Sequence, residues 1–213
     1  MYKGVPLKRV EKINFLGLIL DEHLSWEQHI DSVITKVAFL SRVFFRTSRY
    51  LPLNVKRSVY FAFFHSHVSY LISIWGSASS KSMDRLEIIQ KRVLRNLYGL
   101  RTRSPSSLVY ATAAVLKVRK VAEYFLMVLI HKMINVLALS NTGITFGTDV
   151  HGYDTRCKEY LRTVKPNSTA FGCKNLYNIA AQLYNKLPKD IKNLSILKFK
   201  KQLKKRLMLE NVN

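Results

Sequence analysis

Six histidines, two cysteines and thirteen carboxylates are the side chains in this chain best suited to hold a metal or move a proton. Their spacing argues against either role. Two-metal phosphoryl transfer needs carboxylates that converge from strands or adjacent turns. No Asp-Asp pair occurs, and five of the thirteen acids fall between Glu11 and Asp31, so they read as surface ion pairs. His65 and His67 are two residues apart, which points them to different faces of a helix rather than to one metal. Cys157 and Cys173, with His151, lack the paired Cys-x-x-Cys of a zinc site and read as ordinary thiols. There is no phosphate-cradling glycine loop and no Gly-x-Ser-x-Gly elbow. The expectation is a binding module with no catalytic residue, no metal and no cofactor, and not an enzyme by itself.

What the chain has in quantity is positive charge. Its 213 residues carry a formal net charge of +22, with an isoelectric point near 10.2. Such an excess opposes compaction, and a polyanion is its natural counterpart: nucleic acid rather than a membrane. The distribution says more than the total. No acid lies between Asp31 and Asp84, a gap that holds Lys36, Arg42, Arg46, Arg49, Lys56, Arg57 and Lys81. None lies between Glu87 and Glu123, which enclose Lys91, Arg92, Arg95, Arg101, Arg103, Lys117, Arg119 and Lys120, and none between Asp190 and Glu210. Uncompensated blocks of this kind build a positive surface. Two cysteines exclude a disulfide framework and suit a reducing compartment. No signal peptide is evident at Met1 to Val10. The expected location is intracellular, nucleus or cytoplasm, and not secreted.

The elements that must position these cations read as a mostly α fold: a helical bundle preceded by a short β-hairpin, with an irregular loop and a C-terminal helical pair. Residues 1–24 form the β segment, with the run Lys12 to Asp21 as a strand or hairpin edge. Residues 25–139 form the helical domain. Ser25 to Gln28 fits a capping box that opens a helix to about Ser48. Its apolar face is Ile30, Val33, Val37, Leu40 and Phe44, with Arg42, Arg46 and Arg49 opposite. Pro52 opens a second, central helix to about Trp75, uncharged from Ser58 to Ser80 yet too polar to span a membrane. A third helix, about Asp84 to Tyr98, buries Leu86, Ile89, Val93 and Leu97 and turns Lys91, Arg92 and Arg95 away, with Gly99 as its C-cap. Ser104-Pro105 caps a short helix to about Ala114. A fifth, about Val118 to Leu137, carries Val121, Phe125, Val128, Leu129 and Ile134. Val59, Phe63, Trp75, Leu86, Val93 and Phe125 are the expected core. Residues 140–170 form an irregular connection. Residues 171–213 hold two helices separated by Pro188, the last placing Lys198, Lys201 and Lys205 opposite Ile196, Phe199, Leu203 and Leu207.

Several blocks resemble the region that follows the palm in reverse transcriptases of non-LTR retrotransposons, particularly jockey-like and related LINE-type elements. Phe15-Leu16-Gly17-Leu18-Ile19-Leu20-Asp21, then Leu24-Ser25-Trp26 and His29-Ile30, is similar to the family's "YLG…D…LSW…HI" block. Arg49-Tyr50-Leu51-Pro52 and Ile74-Trp75-Gly76 resemble its first thumb-like helices. Leu86 to Arg95 matches the "LexiQxrxLR" helix, and Val115-Leu116-Lys117-Val118 resembles "LxILkL". His151-Gly152-Tyr153-Asp154-Thr155-Arg156 resembles "HNYNTR". Tyr184-Asn185-Lys186-Leu187-Pro188, with Ile191-Lys192 and Phe199-Lys200, resembles "WNxLPxxIK…FK", Tyr184 standing where the family has Trp. The blocks occur in the family's order and cover nearly the whole chain. The fingers and palm, with the Phe/Tyr-Ala-Asp-Asp motif, are absent.

The resemblance implies the C-terminal part of an RNA-directed DNA polymerase. Phe15, Leu16 and Gly17 would belong to a primer-grip hairpin held against the missing palm and fingers. Arg42, Arg46, Arg49, Lys91, Arg92, Arg95, Lys198, Lys201 and Lys205 would track the backbone of an RNA–DNA or DNA duplex. His151, Tyr153 and Arg156 have two readings: base stacking or phosphate binding in a loop, or a turn motif anchored by Tyr153. The alternatives to a polymerase part are a stand-alone nucleic-acid-binding protein and a non-functional retroelement remnant.

Overall fold

The computed structural model describes residues 9–135, 145–147, 160–163 and 175–210. At the N-terminal side, β1 (Lys12–Phe15) and β2 (Leu18–Asp21) pair antiparallel with Phe15 opposite Leu18. That register leaves Leu16 and Gly17 for the turn, at φ 48° and 79°, the two-residue geometry whose twist matches the strands. Gly17 adopts it freely. Leu16 does so against its own Cβ, and Tyr70 steadies it, the hydroxyl donating to the Leu16 carbonyl at 2.6 Å.

The capping box expected at Ser25 and Gln28 does not form. Helix α1 (Glu27–Thr47) has Trp26 at its N-cap, at φ 64° and without a side-chain bond. Asp21 acts instead: its carboxylate accepts from the backbone N–H of His23, Ser25 and Trp26 and from the Ser25 hydroxyl, all at 3.0–3.1 Å. The carboxylate at the end of β2 thus gathers the backbone leading into the helix, including the Trp26 N–H at its end, and the Ser25 hydroxyl accepts from the Glu27 N–H at 3.3 Å. Burial raises the Asp21 pKa, but the bonds from Ser25, Trp26 and His23 outweigh it and the net shift is downward.

α1 buries Ile30, Val33, Val37 and Phe44, the face its periodicity predicts, and packs along α5 (Ser80–Tyr98). Asp31 pairs with Arg85 at 2.8 Å, and further along Asn96 donates to the Ser41 carbonyl and hydroxyl at 2.9 Å. The two helices therefore run parallel. α5 begins earlier than the expected Asp84 because Ser79 caps it, accepting from the Ser82 N–H. Gly99 closes it at φ 67°.

The stretch expected as one central helix from Pro52 to Trp75 is broken. It comprises α2 (Leu53–Val59), a π-helical turn (Tyr60–His65), α3 (Ser66–Ser69) and α4 (Ile72–Trp75). Tyr70 is extended and Leu71 left-handed between the last two, and the Trp75 indole N–H donates to the Tyr70 carbonyl at 2.8 Å. Tyr60, Phe64, Val68, Ile72 and Trp75 are buried, whereas Phe63, expected in the core, is 50% exposed. The segment lies against the bundle on one side only, so an all-round apolar sequence overstates its burial. Leu86 and Val93 are fully buried as expected, while Val59 and Phe125 are half-buried.

α6 (Ser106–Ala113) and α7 (Val118–Asn135) complete the first part of the bundle. In α7 the buried face is Val118, Val121, Leu126, Met127, Ile130 and His131, turned from the expected stripe, so that Leu129 is exposed. α8 (Leu176–Asn185) and α10 (Ile196–Glu210) pack on α7. α10 runs antiparallel to it, since Lys120 meets Glu210 at 3.0 Å and His131 stacks on Phe199 at 3.8 Å. Pro188 opens a further short helix, α9 (Lys189–Lys192), that the sequence reading missed. Among the described residues no helix is long and apolar enough to cross a membrane.

Candidate nucleic-acid interface

Several residues in the blocks quoted above are occupied in holding the bundle together. Gln90, buried in the middle of α5, spends its whole hydrogen-bonding capacity inside the protein. Its amide donates to the Tyr60 hydroxyl and the Leu116 carbonyl at 2.8 Å each, and its carbonyl accepts from the Tyr110 hydroxyl at 3.0 Å and the Val118 N–H at 3.1 Å. One side chain thus ties α5 to the π-turn, to α6 and to the start of α7. Burial pushes the pKa of both phenols up. His29 sits edge-on to Trp75 at 5.5 Å and accepts from the Ile19 N–H on Nδ1, which joins the hairpin to the bundle. At Gly76 an added Cβ would lie 2.7 Å from Ala122 Cβ and 2.5 Å from the Ile72 carbonyl oxygen. Only glycine permits that approach of α4 to α7.

The C-terminal blocks behave alike. Asn185 clamps the backbone of Leu161, accepting from its N–H and donating to its carbonyl at 2.9 Å each. Tyr184 is buried, its hydroxyl 3.1 Å from His131 Nδ1, and burial pushes its pKa up to about 12. The other ring nitrogen of His131 is 3.0 Å from the Leu194 carbonyl. A carbonyl only accepts, so His131 carries its proton on Nε2 and Nδ1 accepts from Tyr184.

With these residues absorbed, the cations stand out by position. The parallel α1/α5 pair is polarised along its length. Its acids lie toward the amino-terminal ends, where Asp31 meets Arg85 and where Asp84 and Glu87 meet Arg119 at 2.7 and 3.8 Å. Toward the other end Arg42, Arg46, Arg49 and Arg92 are exposed and Lys91 is half-buried. None of these five forms an ion pair among the described residues. Arg101 and Arg103, exposed just beyond Gly99, extend the same end, as does Arg57, whose charge acts on Tyr98. In the sequence these three read as charges and not as site residues. For Arg101 and Arg103 the signal is the turn after α5, which keeps the chain at that end of the pair. Two helix dipoles place roughly half a negative charge each at this end, far less than the cations gathered there. Arg95 departs from the expected basic stripe: its guanidinium turns inward and donates to the Ser104 carbonyl at 2.8 Å. Lys198, Lys201 and Lys205 are exposed on α10, which packs on α7, so they form a separate strip.

Phe15, Leu16 and Gly17 sit at the exposed tip of the hairpin, and the whole of β1 faces solvent. His151, Tyr153 and Arg156, like Cys157 and Cys173, lie outside the described residues. No known protein family, curated protein or solved structure matches the chain.

Proposed function

We propose that this chain is a helical nucleic-acid-binding module that grips a phosphate backbone with the carboxyl-terminal end of its α1/α5 pair. More narrowly, it is the post-catalytic, primer-grip and thumb part of a non-LTR retrotransposon reverse transcriptase, read without its palm and fingers. The observation that carries the binding role is the segregation of charge: ion pairs at one end of the two parallel helices, and at the other exposed arginines that form none among the described residues. The narrower assignment rests on the order of the sequence blocks. It is supported by a hairpin whose outer strand is exposed and whose tip holds Leu16 in a strained conformation, as a surface that docks on another domain would require.

Backbone binding is electrostatic and indifferent to sequence. Affinity for a DNA duplex should fall with salt at a log–log slope of roughly −0.9 per phosphate neutralised. Replacing Arg42, Arg46 and Arg49 together by glutamine should flatten that slope by up to about 3 units. Melting should hardly change, since all three side chains are exposed. Unchanged affinity and slope in the folded triple variant would refute the assignment.

A further inference from the structure

The outer face of α1 carries more than arginine. Phe39, Phe45 and Tyr50 are 57%, 70% and 84% exposed. They are interspersed with Arg42, Arg46 and Arg49 from α1 into the following turn Ser48–Tyr50. At 100° per residue, Phe39, Arg42 and Arg46 share one stripe of α1 with Phe45 at its flank, and Arg49 and Tyr50 follow in the tighter turn at its end. The Arg42 guanidinium lies 5.9 Å from the centre of the Phe39 ring. Large aromatic rings are costly to leave in water, and phosphate binding alone gives no reason for them here. Rings set among cations without acids are the surface that binds single strands: each ring offers a face for an unpaired base while the arginines take the phosphates between. A duplex cannot use the rings, because its bases are already stacked on one another.

We infer that the α1 face is a stacking platform for single-stranded nucleic acid, such as a template strand beside the duplex. The inference rests on the nucleic-acid reading above and adds to it the form of the ligand. A protein partner would also cover aromatic rings, but the arginines interleaved with them, and the missing acids from Asp31 to Asp84, favour a polyanion.

The test uses the full chain, a short labelled oligothymidine and a blunt DNA duplex of equal length. Phe39, Phe45 and Tyr50 are replaced together by alanine, with circular dichroism melting as the folding control. Single-strand affinity should fall roughly tenfold or more, while duplex affinity stays within about twofold. Phe39→Trp should retain single-strand binding, and the indole it introduces should be quenched by the oligonucleotide. Equal losses on both ligands, or no loss on the single strand, would overturn the platform. So would a variant altered only in self-association. Failure of the broader reading looks different: unsubstituted protein would then bind neither ligand in a salt-dependent way.

Discussion

Replacing Gln90 by leucine tests whether the centre of the bundle is built as described. Leucine keeps much of the volume and removes all four hydrogen bonds. Tyr60, Tyr110 and Val118 are each at most 2% exposed, so water does not replace the lost partner. The Val118 N–H and Tyr110 O–H become orphaned donors, and the Leu116 carbonyl and Tyr60 oxygen lose a donor. An unsatisfied buried group costs about 1–3 kcal/mol. Four of them, partly relieved by rearrangement and by the apolar gain of leucine, should cost about 4 kcal/mol or more. That is a large share of the roughly 5–15 kcal/mol that holds a domain together. Tyr60→Phe and Tyr110→Phe each remove one bond and should cost only about 1 kcal/mol. Urea unfolding of the four proteins, followed by circular dichroism, gives the comparison. A Gln90→Leu protein within about 1 kcal/mol of the parent, with unchanged m-value, would refute the network. If that protein also lost nucleic-acid binding, the glutamine would have to be reassigned to the interface.

Gly76→Ala should cost about 1–3 kcal/mol by forcing α4 from α7, and Ala122→Gly in the same protein should restore part of it; a neutral single variant would contradict the close approach. Acid should destabilise the fold before its carboxylates titrate. His29, His65 and His131 have pKa values depressed by burial, with Lys36 and Lys204 adding to the effect at the first two and the Leu194 bond opposing it at the third. The unfolded chain therefore takes up protons first, so stability is full above about pH 6.5 and is lost as pH falls below it. Each such histidine contributes a slope of up to about 1.4 kcal/mol per pH unit. Urea midpoints between pH 7 and 5 should show it, and His131→Gln should make the slope shallower. A flat profile would mean that these rings sit in water.

Periodicity located α1, α5 and α10 well, because each packs on one side and presents charge on the other. It misplaces Phe63 because the segment from Pro52 to Trp75 is apolar nearly all round, which leaves the buried face undetermined. That segment also breaks at Tyr70, whose carbonyl accepts from the Trp75 indole, a bond that no local pattern announces. The cap of α1 was misread for a related reason: Ser25 and Gln28 have the right spacing, but Asp21 becomes available only once the hairpin has folded back. The cations were legible as blocks free of acid. Their assembly at one end was not, since it depends on α1 and α5 running parallel. That follows from Asp31 meeting Arg85 and Asn96 meeting Ser41, pairs 54 and 55 residues apart in the chain.

The placement of the block residues bears on what the resemblance can mean. Asp21, Trp75, Gly76, Gln90 and Asn185 hold the turn into a helix, hold a break, admit a neighbour, saturate a buried network and clamp the backbone of Leu161. None of these tasks requires nucleic acid. Likeness at such positions therefore speaks for the fold, and the binding role has to be carried by residues around them, above all Arg42, Arg46, Arg49 and Arg92. Fold and function are thus separable by substitution. Gln90→Leu should lower stability and take binding with it only through unfolding, whereas the arginine triple should lower binding at full stability. Were the two variants to fail in the same way, the scaffold and the interface would be one structure, and the division of labour drawn here between buried polar side chains and exposed cations would be wrong.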